Sequence, residues 1–322
     1  MPNLDTNRSG IVLNVQRFST EDGPGIRTTV FLMGCALRCQ WCQNPETWTV
    51  TPQIVWYQDR CIGAQHCIPA CPKEALTLTV DGMSINRQRC DSCGACIPVC
   101  PAKALELLGT ERSIDDVVAE VLRDRPFYEE SDGGVTISGG DPLFQFHFAH
   151  ALLKRFQEAG LHTALDTAGY GPASQFQTLI QNSDLILLDL KQMDPSQHET
   201  LTGVPLEPIL INARWLGGQN NPVWIRTPII PGHTDSLDNI AQIAAFIRLN
   251  LPNVERWDFL GFNKLCKAKW VRLDRAFPCR DVPLVSKKHM TRLVEMAKES
   301  QVTQITWSGA TQESTRQTEP QN

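Results

Sequence analysis

Apolar and polar positions change rhythm near Gly109. From there, short β-branched runs alternate with longer stretches whose apolar residues recur every three or four positions. The first kind predicts strands and the second amphipathic helices. GVTISGG (134–140) reads as a strand closed by glycines, and FHFAHALLKRFQEAG as a helix stopped at Gly160. LHTALDTAG and DLILLDLK are strands on either side of a helix, PASQFQTLIQN. VWIRTPII (223–230) and RWDFLGF (256–262) flank the helix SLDNIAQIAAFIRLN, and SKKHMTRLVEMAKES is a last long helix before TQITWSG. Upstream, RTTVFLMG (27–34) predicts the first strand. Strands separated by helices imply parallel βαβ units, and roughly six such units favour a barrel, or most of one, over an open sheet. The expected fold is α/β, a partial (β/α)6 barrel of TIM type.

Residues 52–108 break that rhythm. They are rich in cysteine and proline and short of helical pattern, as an insertion would be. The expected organisation is a barrel from residues 1–51 and 109–310 with an inserted domain at 52–108. The polar tail from Thr311, TQESTRQTEPQN, is expected to be disordered.

The length of 322 residues suits roughly two domains. A net charge of −5 argues against a bulk nucleic-acid binder, which carries a basic footprint. The opening MPNLDTNRSG has no apolar core of a secretory signal, and no apolar run approaches the ~18 residues of a membrane span. A cytoplasmic location with no membrane association is expected.

Twelve cysteines change the picture, because ten of them fall between Cys35 and Cys100 in three tight groups. Without a secretory signal, such clustering points to metal binding or catalysis rather than disulfides. Cys90, Cys93, Cys96, Cys100 and Pro101 form the C-x2-C-x2-C-x3-C-P run of bacterial ferredoxins, whose fourth cysteine serves the neighbouring cluster. The preceding CIGAQHCIPACP nearly repeats it as Cys61, Cys67, Cys71 and Pro72, with Ala64 where a cysteine belongs. Crossed ligation gives one site all four thiolates, Cys71, Cys90, Cys93 and Cys96. It leaves the other with Cys61, Cys67 and Cys100. That second site suits a three-iron cluster, a cube completed by His66 or Gln65, or no stable cluster; an altered but occupied site is the expectation.

The remaining group, Cys35, Cys39 and Cys42, is spaced CxxxCxxC just after the RTTVFLMG strand. Three thiolates leave one iron of a cube without a protein ligand, and an open metal position marks a reactive site. Polar residues stand at the ends of other strands: Gly139–Asp141, Asp166–Thr167, Asp189–Lys191 and Arg226. In barrels that end is where chemistry sits. Cys266 and Cys279 fit no cluster spacing and read as buried, inert thiols. His147, His150, His162, His198, His233 and His289 show no metal spacing.

CxxxCxxC in this place resembles the radical S-adenosylmethionine (SAM) superfamily. STEDGPGIRTTVFLMGC, CQWCQNPE, GGVTISGGDPL, LDTAGY, LILLDLKQMDPSQHETLTG and VWIRTPIIPG narrow the resemblance to the glycyl-radical-enzyme activating enzymes, the larger of which carry a two-cluster insertion. The resemblance implies a SAM-binding 4Fe-4S cluster on Cys35, Cys39 and Cys42, with Trp41 against adenine and Gln43 nearby. It places Gly139, Gly140 and Asp141 at the methionine amino group, Asp141 standing for a more usual glutamate. Asp166 and Thr167 would face the SAM carboxylate, near a monovalent cation at the Leu187 carbonyl. Asp189, Leu190, Lys191, Arg226 and, more remotely, Asn263 would complete the SAM contacts. Asp22 and Arg27, in DGPGIR, would meet the partner's glycine loop. The implied reaction is reductive cleavage of SAM to a 5′-deoxyadenosyl radical that takes hydrogen from a backbone glycine of a partner enzyme. Flavodoxin or ferredoxin would donate the electron to a monomeric activase. Two rival readings remain on sequence: a radical SAM enzyme acting on a small molecule or another peptide, and an iron–sulfur electron-transfer protein. Which glycyl radical enzyme is the partner is not legible.

Overall fold

The computed structural model of the chain describes residues 8–312. It opens with β1 (Ser9–Ser19) and β2 (Arg27–Leu32). Four short strands follow in the cysteine-rich segment: β3 (Gln53–Trp56), β4 (Leu76–Thr79), β5 (Gly82–Ile85) and β6 (Leu105–Leu108). The remainder carries β7 (Thr110–Ser113), β8 (Gly134–Gly139), β9 (Thr163–Thr167), β10 (Leu185–Asp189), β11 (Val223–Ile229), β12 (Val254–Gly261) and β13 (Gln304–Ser308). Its helices are α1 (Ile114–Val121), α2 (Arg125–Ser131), α3 (Phe146–Glu158), α4 (Ala173–Gln181), α5 (Pro195–Thr202), α6 (Glu207–Leu216), α7 (Leu237–Asn250), α8 (Lys267–Arg272) and α9 (Lys287–Ala297).

The fold is mixed α/β around a nine-stranded sheet of order β13-β12-β11-β10-β9-β8-β2-β1-β7. From β2 to β13 every neighbouring pair is parallel and follows chain order. Right-handed crossovers that always step the same way put their helices on one face. That face takes alternate residues of each strand, Val30, Leu32, Ile137, Leu165, Ile186, Ile225 and Phe259 among them, into the main apolar core. The intervening positions, Thr29, Thr136, Asp166, Asp189, Arg226 and Asp258, line the other face, which is polar. Only its lower part is plugged by apolar side chains, Ala164, Leu185, Leu187 and Trp224.

Local chemistry agrees with this pattern. Ser113, Ser236 and Ser286 cap α1, α7 and α9 by accepting from the N–H of Asp116, Asn239 and His289. Helix α3 buries Phe148, Ala149, Leu152, Leu153 and Phe156 on one stripe, and Gly160, at φ +71°, ends it as expected.

Two expectations need correction. RTTVFLMG is the second strand: β1 precedes it and pairs antiparallel with both β2 and β7. Two irregularities in the β1–β2 register blur the alternation of β1, and β7 (TERS) is a polar edge strand with no apolar signal. Gln312, in the tail expected to be disordered, bridges to Ser286 and donates its N–H to Val285 O at 3.0 Å. Residues 313–322 of that tail lie outside the described residues.

Residues 53–108 contain strands and tight turns with no α-helix. Strand β3 pairs with β6 and β4 with β5, around a small apolar cluster of Ile54, Leu76, Ile85, Leu105, Cys67 and Cys96.

Candidate active site

Strand register assembles the site. Leu32 pairs with Gly139 across β2 and β8, and Asp189 with Arg226 across β10 and β11, so these chain ends converge at the C-terminal edge of the parallel strands. After β2 the chain turns at Gly34 (φ +93°), whose N–H donates to Thr47 O at 2.7 Å. The cysteine loop is then pinned to the end of α5: Arg38 N–H donates to Thr202 O at 2.6 Å and Gln40 N–H to Leu201 O at 3.0 Å. The Arg38 guanidinium also donates to the carbonyls of Cys35 (2.6 Å) and Leu37 (2.7 Å), clamping the loop from within.

Cys35, Cys39 and Cys42 line one cavity of about 200 Å³, with Trp41 and Gln43 on the same wall. Gly139, Gly140, Asp166, Thr167, Asp189 and Lys191 form the facing wall. Burial pushes all three thiols up, Cys42 to about 12. They ionise readily only when something cationic is bound among them. Among the described residues no three His, Cys, Asp or Glu side chains close around a single-ion site; these cysteines surround a larger space.

The glycines of SGGD have a packing reason as well. A Cβ on Gly139 would lie 2.2 Å from both Leu32 N and Leu32 O, and one on Gly140 2.2 Å from Gly34 O. Backbone therefore runs against backbone here: Gly140 N–H donates to Leu32 O and Asp141 N–H to Gly34 O, both at 2.9 Å.

The polar wall is an ion network. The Arg226 guanidinium lies 3.1 Å from Asp166 and 3.9 Å from Asp22. Ser138 donates to Asp166 at 2.6 Å, and Lys191 pairs with Asp189. Burial raises the Asp166 carboxyl, with Arg226 opposing. Burial alone would lower Arg226 and Lys191, but the surrounding aspartates, and Cys39 beside Lys191, hold both above their ordinary values.

Several expected contacts stand elsewhere. Asp141 is buried behind the wall, accepting from Leu143 N (3.0 Å), Ala168 N (2.9 Å) and Thr167 Oγ1 (3.0 Å). Burial pushes its carboxyl up to about 6 despite those donors. It ties the β8 and β9 loops together and does not line the cavity. Leu190 is buried with its N–H on Arg226 O, and Arg226 itself is turned to its own aspartates. Asn263 accepts Leu265 N–H on its side chain and Gln43 Nε2 on its carbonyl, so it backs Gln43 from outside the cavity. Arg27 does not face a partner. It is fully buried, donating to Thr136 Oγ1 (2.7 Å) and Val135 O (2.6 Å), and burial lowers it to about 10. Asp22 opens onto the polar face while accepting from Ser19 (2.6 Å) and Thr29 (2.8 Å). Ser138, Asn44, Trp48 and Pro228 line the cavity without having been singled out in sequence. Ser138, Asn44 and Pro228 lie within the recognised motifs, which is the signal that points to them. Cys266 and Cys279 are buried, as expected, in the apolar cluster behind the cysteine loop.

Comparison with known proteins gives the chain its relatives. A family model described as a 4Fe-4S single cluster domain matches residues 21–201. The chain is 40% identical over 272 residues to the benzylsuccinate synthase activating enzyme of Thauera aromatica, covering 83% of this chain and 82% of that one. It is 40% identical over 288 residues to the isethionate sulfite-lyase activating enzyme of Desulfovibrio desulfuricans, covering 87% and 92%. With the (2S)-3-sulfopropanediol dehydratase activating enzyme of Klebsiella oxytoca it shares 35% over 302 residues, covering 92% and 95%. Among solved structures, a radical SAM methyltransferase from Sphaerobacter thermophilus has a similar fold, with a TM-score of 0.53 at 13% identity over 94% of this chain and 78% of that one. No helix among the described residues is long and apolar enough to cross a membrane. The chain belongs to the glycyl-radical-enzyme activating enzymes, radical SAM proteins that use an iron–sulfur cluster and S-adenosylmethionine.

Proposed function

We propose that Cys35, Cys39 and Cys42 hold the cluster that reduces SAM, and that the facing wall positions the cosubstrate for activation of a glycyl radical enzyme. One observation carries this reading: three buried thiols open onto a cavity whose other wall bears backbone from glycines and a ring of paired charges. When bound, the cluster and SAM supply the 5′-deoxyadenosyl radical that takes hydrogen from the partner's glycine. The chain's own task is to bind, orient and exclude water. Gly139 and Gly140 leave room for the methionine end, and Trp41 offers a flat face for adenine. Asp166 and Thr167 meet the SAM carboxylate with a monovalent cation between, near the Leu187 carbonyl, because two carboxylates cannot share a site unscreened. Asp189 and Lys191 take the remaining polar groups. Arg226, Asp141, Leu190 and Asn263 act as supports for those contacts.

The architecture is read as a partial (β/α)6-type barrel, residues 1–51 and 109–310. Support comes from seven parallel strands wound in one direction, β13 and β7 ending the order without pairing to each other. The open side gives a partner's glycine loop a way in, past Asp22 on the polar face. Residues 52–108 form an inserted ferredoxin-like domain, in which Cys71, Cys90, Cys93 and Cys96 hold a four-iron relay cluster. A flavodoxin or ferredoxin donates the electron to a monomeric enzyme in the cytoplasm.

Reconstituted protein, reduced with dithionite and given SAM, should release 5′-deoxyadenosine. Cys39→Ala should abolish that release, and Cys93→Ala should leave SAM binding within about twofold of wild type. Failure of the reduced wild type to cleave SAM overturns the assignment of the cavity.

A further inference from the structure

The two halves of the inserted segment repeat in backbone as well as in sequence, at a spacing of 29 residues. Left-handed φ angles occur at Gly63, Gln65 and Glu74 (+73°, +58°, +47°) and again at Ser92, Gly94 and Lys103 (+59°, +76°, +50°). Four of these six are not glycine, so the conformation is imposed by the fold and not granted by composition. The hydrogen bonds repeat in step. Ile68 N–H donates to Gln65 O as Ile97 N–H does to Gly94 O, and Cys71 N–H to Ile68 O as Cys100 N–H to Ile97 O, all between 2.9 and 3.1 Å. Ala75 N–H donates to Cys71 Sγ at 3.3 Å and Ala104 N–H to Cys100 Sγ at 3.2 Å, the donor that a thiolate ligand wants.

This repeat places Ala64 on Cys93, between left-handed residues in both halves. The loop that presents a fourth thiolate is therefore intact around a methyl group. Cys61, Cys67 and Cys100 line one small cavity together with Ala64, so the residues present fit a cluster that lacks one ligand. Exposure says which corner is missing. In the complete half Cys93 is solvent-exposed, whereas Cys96 is buried and Cys71 and Cys90 are half-buried. Its counterpart Ala64 is half-buried between the exposed Gly63 and Gln65, so the corner lies next to solvent. Gln65 and His66, themselves exposed, stand where the complete half has Gly94 and Ala95, positions that carry no ligand.

Resting on the reading of residues 52–108 as cluster-bearing, we propose that Cys61, Cys67 and Cys100 hold a three-iron, four-sulfide cluster. Its vacant corner lies at Ala64 and is completed by no protein side chain. The segment is then asymmetric, with a closed four-iron site on Cys71, Cys90, Cys93 and Cys96 beside a site open to solvent.

The test removes the other three-thiolate site. The full chain carrying Cys35→Ala, Cys39→Ala and Cys42→Ala is reconstituted anaerobically with iron and sulfide, freed of excess iron, then oxidised with one equivalent of thionine, which leaves four-iron cubes intact. An oxidised four-iron cube is diamagnetic and an oxidised three-iron cluster paramagnetic. Electron paramagnetic resonance should therefore show one three-iron signal per chain. Adding Ala64→Cys should abolish the signal and raise bound iron by about one atom per chain. The mirror change, Cys93→Ala on the same background, should instead double the signal, and it keeps the test open if the Ala64→Cys chain folds poorly. A silent spectrum with iron for two full cubes overturns the proposal by showing that the fourth iron is retained at the corner. A silent spectrum with iron for one cube overturns it by leaving the site vacant. A signal unmoved by Ala64→Cys misplaces the corner and also overturns it. Absence of any iron overturns the cluster-bearing reading of the segment as well, while SAM cleavage by the wild type is judged separately.

Discussion

Arg226 shows what one side chain must balance here. It projects from β11 among Asp22, Asp166, Asp189 and Asp258, with only 16% of its side chain exposed. Such a cation is costly to desolvate, and only the surrounding carboxylates keep it charged. Those carboxylates depend on it in turn, since Asp166 already sits above its ordinary range through burial. Replacing Arg226 by Ala leaves like charges facing one another and should cost about 3 kcal/mol of unfolding free energy, measured by urea titration. Arg226→Lys keeps the charge but loses the planar fork and should recover only part. Adding Asp166→Asn to Arg226→Ala should recover more, because it removes the carboxylate left unpaired. A double variant no more stable than Arg226→Ala would show that the pair is not what holds this wall.

At the scale of elements, the junction of α1 and α2 fastens the two opening strands. Asp124 accepts from the Arg17 guanidinium of β1 (2.8 and 3.0 Å at Nε) and from Thr28 Oγ1 of β2 at 2.8 Å, and Tyr128 donates to the same threonine at 2.6 Å. The hydrogen bond from Arg17 holds the Asp124 carboxyl below its ordinary 3.8. A depressed carboxyl stabilises the fold above its unfolded value, and that contribution is lost as pH falls through the folded value. Asp124→Asn should therefore be less stable than wild type at pH 7, and the gap should close only below pH 3.8. Comparing the two chains at each pH cancels the acid lability common to both; a gap that widens in acid would contradict the assignment. Gly139 is a second element-level constraint. Gly139→Ala forces a Cβ into the backbone of Leu32 at φ +121° and should cost more than ~1 kcal/mol, lowering iron retention at the neighbouring cysteines. The same elements show what was legible in the sequence. Strands buried on one face against helices, β8 to β12, announce themselves by β-branched and apolar runs, and the ends of β8, β9 and β10 line one cavity. β7 and α5 were not legible, because one is a polar edge and the other has almost no apolar stripe. Arg27 and Asp141 were misassigned for a related reason. A charged residue inside a motif reads as a contact, and sequence does not reveal that burial and hydrogen bonds have spent it on the fold.

For the whole molecule, the question is how the cysteine-rich segment communicates with the cavity. Helix α8 lies between them. On one side Trp270 Nε1 donates to the carbonyl of Cys42 at 3.0 Å. On the other, Arg87 of the segment donates to Arg272 O at 2.7 Å and pairs with Asp274 at 2.9 Å, while also holding the carbonyl of Ile54. Stacking of Arg272 on Tyr57 adds a further contact across the same seam. One side chain thus ties the segment to the helix that touches the cysteine loop. If the segment relays electrons, loosening this tie should matter only when electrons arrive through it. In Arg87→Ala, SAM cleavage driven by dithionite, which is small enough to reach the cavity directly, should stay within about twofold of wild type. Cleavage driven by a reduced flavodoxin or ferredoxin should slow several-fold more. Equal loss with both reductants would mean that Arg87 merely holds the core together, and equal retention would mean that the electron enters the cavity without passing through the segment.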